Sequence, residues 1–338
     1  MKTTTAILQT QNLGIGYRAQ RQPAKMVGDQ INLTMLPGQL VCLIGPNGAG
    51  KSTLLRTLAG LQQPIHGEVL LDGANLHKMR PRTLARSISV VLTDRIVTGM
   101  LTAYDVASLG RDPYTGWSGI LTLHDHEVVR RALKSVHAEA FANRVVHELS
   151  DGERQRVMMA RALAQEPRLM ILDEITAFLD LPGRVEAMTI LRNVARHNNC
   201  AVLLSTHDLD LALRTADRIW LFPKGGEIKA GTPEELIWNG AFAAAFAASG
   251  ISFNSRSGTF QVEEPSIGVA YVEGEDLHAT WTSRALERHG FRTTTDAGTA
   301  SVHIEIQRDS EQVRWVCRSR NGIRSCNSID EVLASLPN

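Results

Sequence analysis

The chain has 338 residues, 43% of them hydrophobic and 21% charged, and 36 basic against 35 acidic side chains leave a net charge of +1. Such a composition suits a globular protein with a sizeable core and excludes a disordered chain. The near-neutral balance carries no electrostatic footprint for nucleic acid or an anionic membrane surface.

No run approaches the roughly 18 apolar residues of a membrane span. The amino terminus lacks the apolar core of a secretory signal, and four scattered cysteines make no disulfide framework. A soluble, reduced protein is therefore expected.

In chain order, β-branched runs predict strands at Leu40–Ile44, Glu68–Leu71, Ser87–Leu92, Leu169–Leu172, Ala201–Ser205 and Ile219–Phe222. Helical stretches fall at Lys51–Leu58, Glu127–Val136, Asp151–Ala164 and Arg184–Arg196, and Thr232 with Pro233 and Glu235 opens another. Strands alternating with helices predict an α/β fold with a mainly parallel sheet covered on both faces.

The character changes near residue 250. From Ile251 onward there are nine arginines, no lysine and twelve acidic residues. Here the pattern predicts a small α+β unit: a strand at Ile267–Val272, a helix at Leu277–His289, a strand at Val302–Gln307, a hairpin, and a last helix opened by Ser328 and Glu331. Two units, 1–250 and 251–338, are expected. A hairpin turn on Asn321-Gly322 would set Cys317 opposite Cys326.

Gly45-Pro46-Asn47-Gly48-Ala49-Gly50-Lys51-Ser52, followed by Thr53, fits G-x-x-x-x-G-K-[ST] between a strand and a helix. Glycines let successive backbone N–H groups turn inward around phosphate oxygens, and the helix N-terminus adds partial positive charge. Lys51 would reach the β/γ-phosphates, and Ser52 would ligate Mg²⁺. A second apolar run ends in Asp173-Glu174. It predicts a buried strand that delivers Asp173 to the Mg²⁺ shell and Glu174 to the attacking water.

About 100 residues after Lys51 stands Leu149-Ser150-Asp151-Gly152-Glu153. It is a good helix start, with Ser150 as N-cap and Glu153 closing a capping box. It also resembles the LSGGQ signature of ABC transporter ATP-binding subunits, a resemblance that spans residues 7–250. That family implies a P-loop ATPase with antiparallel β and helical subdomains, the helical one at about 95–165, binding ATP and Mg²⁺.

The resemblance further implies two copies that face each other, with Ser150 and Gly152 contacting the partner's ATP. It matches Tyr17 to the aromatic that stacks on adenine, His207 to the switch histidine, and Leu179-Asp180 to the D-loop. Thr93 stands where the family carries its Q-loop glutamine, a departure that puts direct metal ligation there in doubt.

Ala107-Ser108-Leu109-Gly110-Arg111-Asp112-Pro113-Tyr114 and His207-Asp208-Leu209-Asp210-Leu211-Ala212 resemble importers of iron-siderophore, haem and cobalamin complexes. The expected partners are a second copy, transmembrane permease subunits and, indirectly, a substrate-binding protein, at the cytoplasmic face of the inner membrane. Another transporter class, or a DNA-repair or translation ABC ATPase, is the alternative. The interval from P-loop to signature lacks the heptads of the former, and only one such domain is present where translation proteins usually hold two.

Overall fold

The structure, a computed structural model, describes residues 5–18, 24–92, 99–177, 179–225, 227–247, 251–254, 259–262, 266–309, 312–319 and 322–336. The chain divides into two compact units. One comprises residues 1–248 with 252–260, the other 249–251 with 261–338.

A six-stranded sheet organises the larger unit. Its order is Lys229–Gly231, Arg218–Leu221, Leu40–Ile44, Ala201–Ser205, Leu169–Asp173, Ile88–Val91. All neighbours run parallel except the Lys229–Gly231 edge. The central strands are buried on both faces, which is why they read as continuous apolar runs rather than as alternation. Val41 and Leu43 enter one core with Ile15, Leu54, Ile171 and Trp220. Leu40, Cys42 and Ile44 enter another, with Met170, Leu172 and Leu191.

A five-stranded antiparallel sheet, built on Leu8–Tyr17, Lys25–Ile31 and His66–Leu71, closes the first of these cores. The helices Ala103–Ser108, Leu123–Ser135 and Asp151–Ala164 pack on one another and close the second.

Each of those three helices opens on a complete capping box: Thr102 with Asp105, Thr122 with Asp125, and Ser150 with Glu153. The Thr122 cap corrects the sequence reading, which began that helix at Glu127. It starts one turn earlier, at Leu123, because Thr122 and Asp125 satisfy the first free amides. The helix expected at Arg184–Arg196 likewise starts at Leu181, capped by Asp180.

Gly110 and Arg111, singled out by resemblance, lie in this packing. A Cβ on Gly110 would sit 2.2 Å from the Arg161 carbonyl oxygen, so only glycine admits the close approach of the helix Asp151–Ala164. Arg111 is 2% exposed. Its guanidinium donates to Asp125 Oδ1, the Ala164 carbonyl and Glu166 Oε2, each at 2.8 Å, and lies over the Tyr114 ring at 3.9 Å.

The smaller unit carries a sheet in the order Phe291–Thr294, Gly268–Val272, Val302–Asp309, Gln312–Ser319, Gly322–Cys326, parallel over the first three strands and antiparallel thereafter. The helices Leu277–Arg288 and Ile329–Ser335 pack on it.

The hairpin register differs from expectation. Ser319 pairs with Gly322, so Cys317 stands opposite Arg324, and Trp315 opposite Cys326. Both registers keep Trp315, Cys317 and Cys326 on the buried face, so the apolar pattern does not choose between them. All four cysteines are free and buried. Burial, and then the neighbouring Cys326, push the Cys317 thiol up to about 11. Ser328 caps the last helix as expected, but the Glu331 carboxylate turns to the amide of Asn327 rather than that of Ser328.

The buried ion pair generates a prediction. Arg111→Met leaves Asp125 and the Ala164 carbonyl without their cation, and is expected to cost about 3–5 kcal/mol in a denaturant melt. The Thr122 hydroxyl and amide, and then Arg111, hold the Asp125 carboxyl down at about 2. A depressed carboxylate stabilises the fold above its unfolded pKa of about 4 and loses that contribution as pH falls toward 2. Asp125→Asn is therefore expected to flatten the loss of stability across that window, followed by circular dichroism.

Candidate active site

The parallel strands end on one edge, and the chemistry collects there. Leu40–Ile44 runs into the loop Gly45–Gly50, which enters the helix Lys51–Leu58. A Cβ on Gly45 would lie 2.1 Å from the Phe222 carbonyl oxygen, and Gly50 takes φ 112 at the helix N-cap. No side chain caps that helix, so its first-turn amides remain turned toward an incoming anion.

Lys51 is buried. Its Nζ donates to the Gly45 carbonyl at 2.8 Å and the Pro46 carbonyl at 3.3 Å, which holds the ammonium across the loop. Burial lowers its pKa, opposed by Glu174 and Asp173. Ser52 is exposed, whereas Thr53 is buried and bonded to the Tyr17 hydroxyl at 2.7 Å. That bond fixes the half-exposed Tyr17 ring beside the loop's helix.

Asp173 closes its strand opposite Ser205. Burial raises its pKa, opposed by the hydroxyls of Ser205 and Ser52 and by Lys51. Its Oδ1 is buried with no hydrogen-bond partner. An acceptor-only oxygen left bare beside a serine hydroxyl fits a hard divalent cation, so Ser52 and Asp173 suit Mg²⁺.

Glu174 follows with φ 51, a left-handed turn that no glycine relieves, and its amide donates to the Ser205 carbonyl. The turn carries its carboxylate to His207, with Nε2 and Oε1 2.6 Å apart. An ionised carboxylate only accepts, so Nε2 carries the proton.

Tyr17, Gly45, Pro46, Asn47, Gly48, Ala49, Gly50, Lys51, Ser52, Thr53, Asp173, Glu174 and His207 are thus brought to one edge. Ser150, Gly152 and Asp180 are not. Among the described residues no hydrogen bond joins them to the P-loop. Ser150 caps the helix Asp151–Ala164, and Asp180 caps Leu181–Asn198 through the Gly183 amide at 3.0 Å. These two helix starts face each other across a gap of about 30 Å³ lined by Gly152, Gln155, Leu179 and Gly183. Thr93 lies outside the described residues.

Two contributors were missed. Ser205 sat inside a predicted strand, and nothing in its spacing marked its neighbour across the sheet. Arg184 donates to the Leu179 carbonyl at 2.8 Å and stands 3.5 Å from Asp208, tying the D-loop to the residue after His207. An arginine in the turn that Asp180 caps was the available signal.

Residues 29–177 match the family model described as ABC transporter, and residues 268–337 match that of the iron ABC transporter C-terminal domain. ABC transporter ATP-binding protein MJ0873 of Methanocaldococcus jannaschii is 43% identical over 231 residues, covering 68% of this chain and 78% of its own. The chain belongs to the ABC transporter ATP-binding proteins.

The iron(3+)-hydroxamate import ATP-binding protein FhuC of Bacillus subtilis is 34% identical over 68% of this chain and 84% of its own. The cobalamin import ATP-binding protein BtuD of Halobacterium salinarum is 40% identical over 65% and 55%. Among solved structures, cbiO1 of Clostridium perfringens, part of the cbiONQ transporter complex, matches at 27% identity and a TM-score of 0.61, over 71% of this chain and 93% of its own. The dimeric cassette MJ0796 matches at 27% and 0.58, over 67% and 98%. An ATP-binding cassette is therefore the frame in which this ABC ATPase's edge of phosphate loop, carboxylates and histidine operates.

The anchored tyrosine gives a test. Tyr17→Phe keeps a ring and loses only the Thr53 bond, so ATP affinity is expected to hold within about threefold. Tyr17→Ala removes a stacking face worth about 1–3 kcal/mol and is expected to weaken binding about tenfold. Fluorescent-nucleotide titration separates the two.

Proposed function

We propose that this ABC ATPase energises an importer of iron-siderophore, haem or cobalamin-type complexes from the cytoplasmic face of the inner membrane. Its partners would be a second copy of itself and separate permease subunits, served indirectly by a substrate-binding protein. The observation that carries the catalytic reading is the convergence of Lys51, Asp173, Glu174 and His207 on one sheet edge, with Glu174 and His207 in direct contact.

The reaction is phosphoryl transfer from ATP to water, in which catalysis rests on position and charge. Lys51 and the loop amides hold the phosphates. Ser52 and Asp173 would hold Mg²⁺, which supplies charge neutralisation at the phosphates when bound. Glu174 orients and deprotonates the water, and the proton it takes sits on the carboxylate that His207 steadies. Ser150 and Gly152, which among the described residues make no hydrogen bond to their own P-loop, serve the partner's nucleotide, and Asp180 lies between the two sites.

The cargo reading rests on the hydroxamate and cobalamin relatives and on the iron-transporter match of residues 268–337. No helix among the described residues is long and apolar enough to cross a membrane, which fits a separate permease. Trp117, Ile120 and Leu123, each at least 75% exposed, offer that subunit an apolar contact beside the helical region.

Four measurements test this function. Lys51→Ala is expected to weaken ATP binding tenfold or more. Glu174→Gln should still bind ATP, with hydrolysis slowed at least about 100-fold; normal turnover in that variant would refute the assignment of the base. Deleting the gene should abolish uptake of one radiolabelled cargo among a ferric siderophore, haemin and cobalamin. Retained uptake of all three would refute the cargo class. Trp117→Ser with Ile120→Ser should prevent co-purification with a polytopic membrane subunit while leaving the melting temperature within a few degrees.

A further inference from the structure

Where the family signature reads LSGGQ, this chain carries two carboxylates, Asp151 and Glu153, on the turn that the proposed dimer would press against the partner's triphosphate. Unmasked, they would repel it. Each is met by an arginine. Arg154 donates to Asp151 Oδ1 at 2.7 Å and to the Leu149 carbonyl at 2.9 Å. Arg144 reaches Glu153 Oε1 at 3.0 Å and, through its other terminal nitrogen, the Glu148 carbonyl at 2.9 Å.

Glu153 Oε2 also accepts from the Ser150 amide at 2.9 Å, while the Glu153 amide donates to Ser150 Oγ at 3.2 Å. The serine oxygen is thus the acceptor in its cap, and the hydroxyl hydrogen is left to donate elsewhere. Arg144 comes from outside the helix and spans the turn that precedes it, so it fixes the cap from a separate element.

We propose that Arg144 is a positioning residue for the partner's nucleotide. It pins Glu153 in the cap, keeps the Ser150 hydroxyl as a donor, and cancels the charge an incoming γ-phosphate would meet. This rests on the head-to-tail closure proposed above. Glutamine at position 153 would keep both cap bonds without the charge. The acidic signature therefore needs its arginine, and a neutral one would not.

The test uses the full-length chain carrying Glu174→Gln, with ATP and Mg²⁺, and reads dimerisation by analytical ultracentrifugation. Adding Arg144→Ala is expected to weaken the ATP-dependent dimer about tenfold, with ATP binding to the monomer unchanged. Adding Glu153→Gln to that variant is expected to restore the dimer to within about twofold. The Arg144→Ala deficit should also shrink as salt rises from about 0.05 to about 0.5 M.

A purely structural role for Arg144 would give a deficit that Glu153→Gln does not relieve and salt does not change. That result, or no deficit at all, overturns the proposal. Should Arg144→Ala fold poorly, Glu153→Gln alone decides: a dimer at least as tight as the parent supports the proposal, and a weaker one overturns it. If the Glu174→Gln parent itself forms no dimer with ATP, the closure reading falls and takes the proposal with it, an outcome visible before Arg144 is touched.

Discussion

Two pairings across three parallel strands determine what the site can do. Leu43 lies opposite Ser205, and Ser205 lies opposite Asp173. The first sets the level at which the phosphate loop leaves the sheet, and the second sets the carboxylate at that same level. A slip of one residue in the strand Leu169–Asp173 would carry its side chains to the opposite face and take Asp173 off the level of Ser205. Each strand packs its alternate side chains into two different cores, and that close fit fixes the register, so packing in the interior positions the catalytic edge.

The edge is also where the backbone departs from its easy conformations. Glu174 holds a positive φ without being glycine, Gly50 a positive φ at a helix start, and Gly45 admits a carbonyl that no side chain would allow. The site draws its geometry from a sheet stiff enough to hold them. The second set of proposed site residues obeys a different logic. Ser150 and Asp180 are N-caps, and their side chains already serve their own helices. What they present outward is what capping leaves over. For Ser150 that is the hydrogen of a hydroxyl whose oxygen is engaged.

Much of this was legible in the sequence, for identifiable reasons. The helices Lys51–Leu58 and Asp151–Ala164 were bounded correctly because glycine at one start and a serine capping box at the other leave little freedom. The central strands were visible as apolar runs that end in glycine or in carboxylates. The strands Leu8–Tyr17 and Lys25–Ile31 were missed because glycines and polar residues interrupt them and register shifts break their pairing. Partnerships across the sheet, such as Ser205 beside Asp173, leave no trace in spacing. The hairpin register was misjudged because both alternatives bury the same face. The direct contact of His207 with Glu174 depends on a single left-handed residue, which no periodicity announces.

The contacts of Arg111 change what the stretch Gly110–Tyr114 means. It was noticed because it looks like importers of one cargo class, yet the contacts that Gly110, Arg111 and Tyr114 make are packing contacts inside the fold. Glycine lets two helices touch, arginine joins Asp125, Glu166 and a helix-end carbonyl, and the Tyr114 ring lies beneath it. Such a stretch acts here as a packing solution for the helical region it holds together. Grafting that region from one transporter onto another would have to move Arg111, Asp125 and Glu166 as one unit. A graft that split them would fail in the interior before specificity came into question.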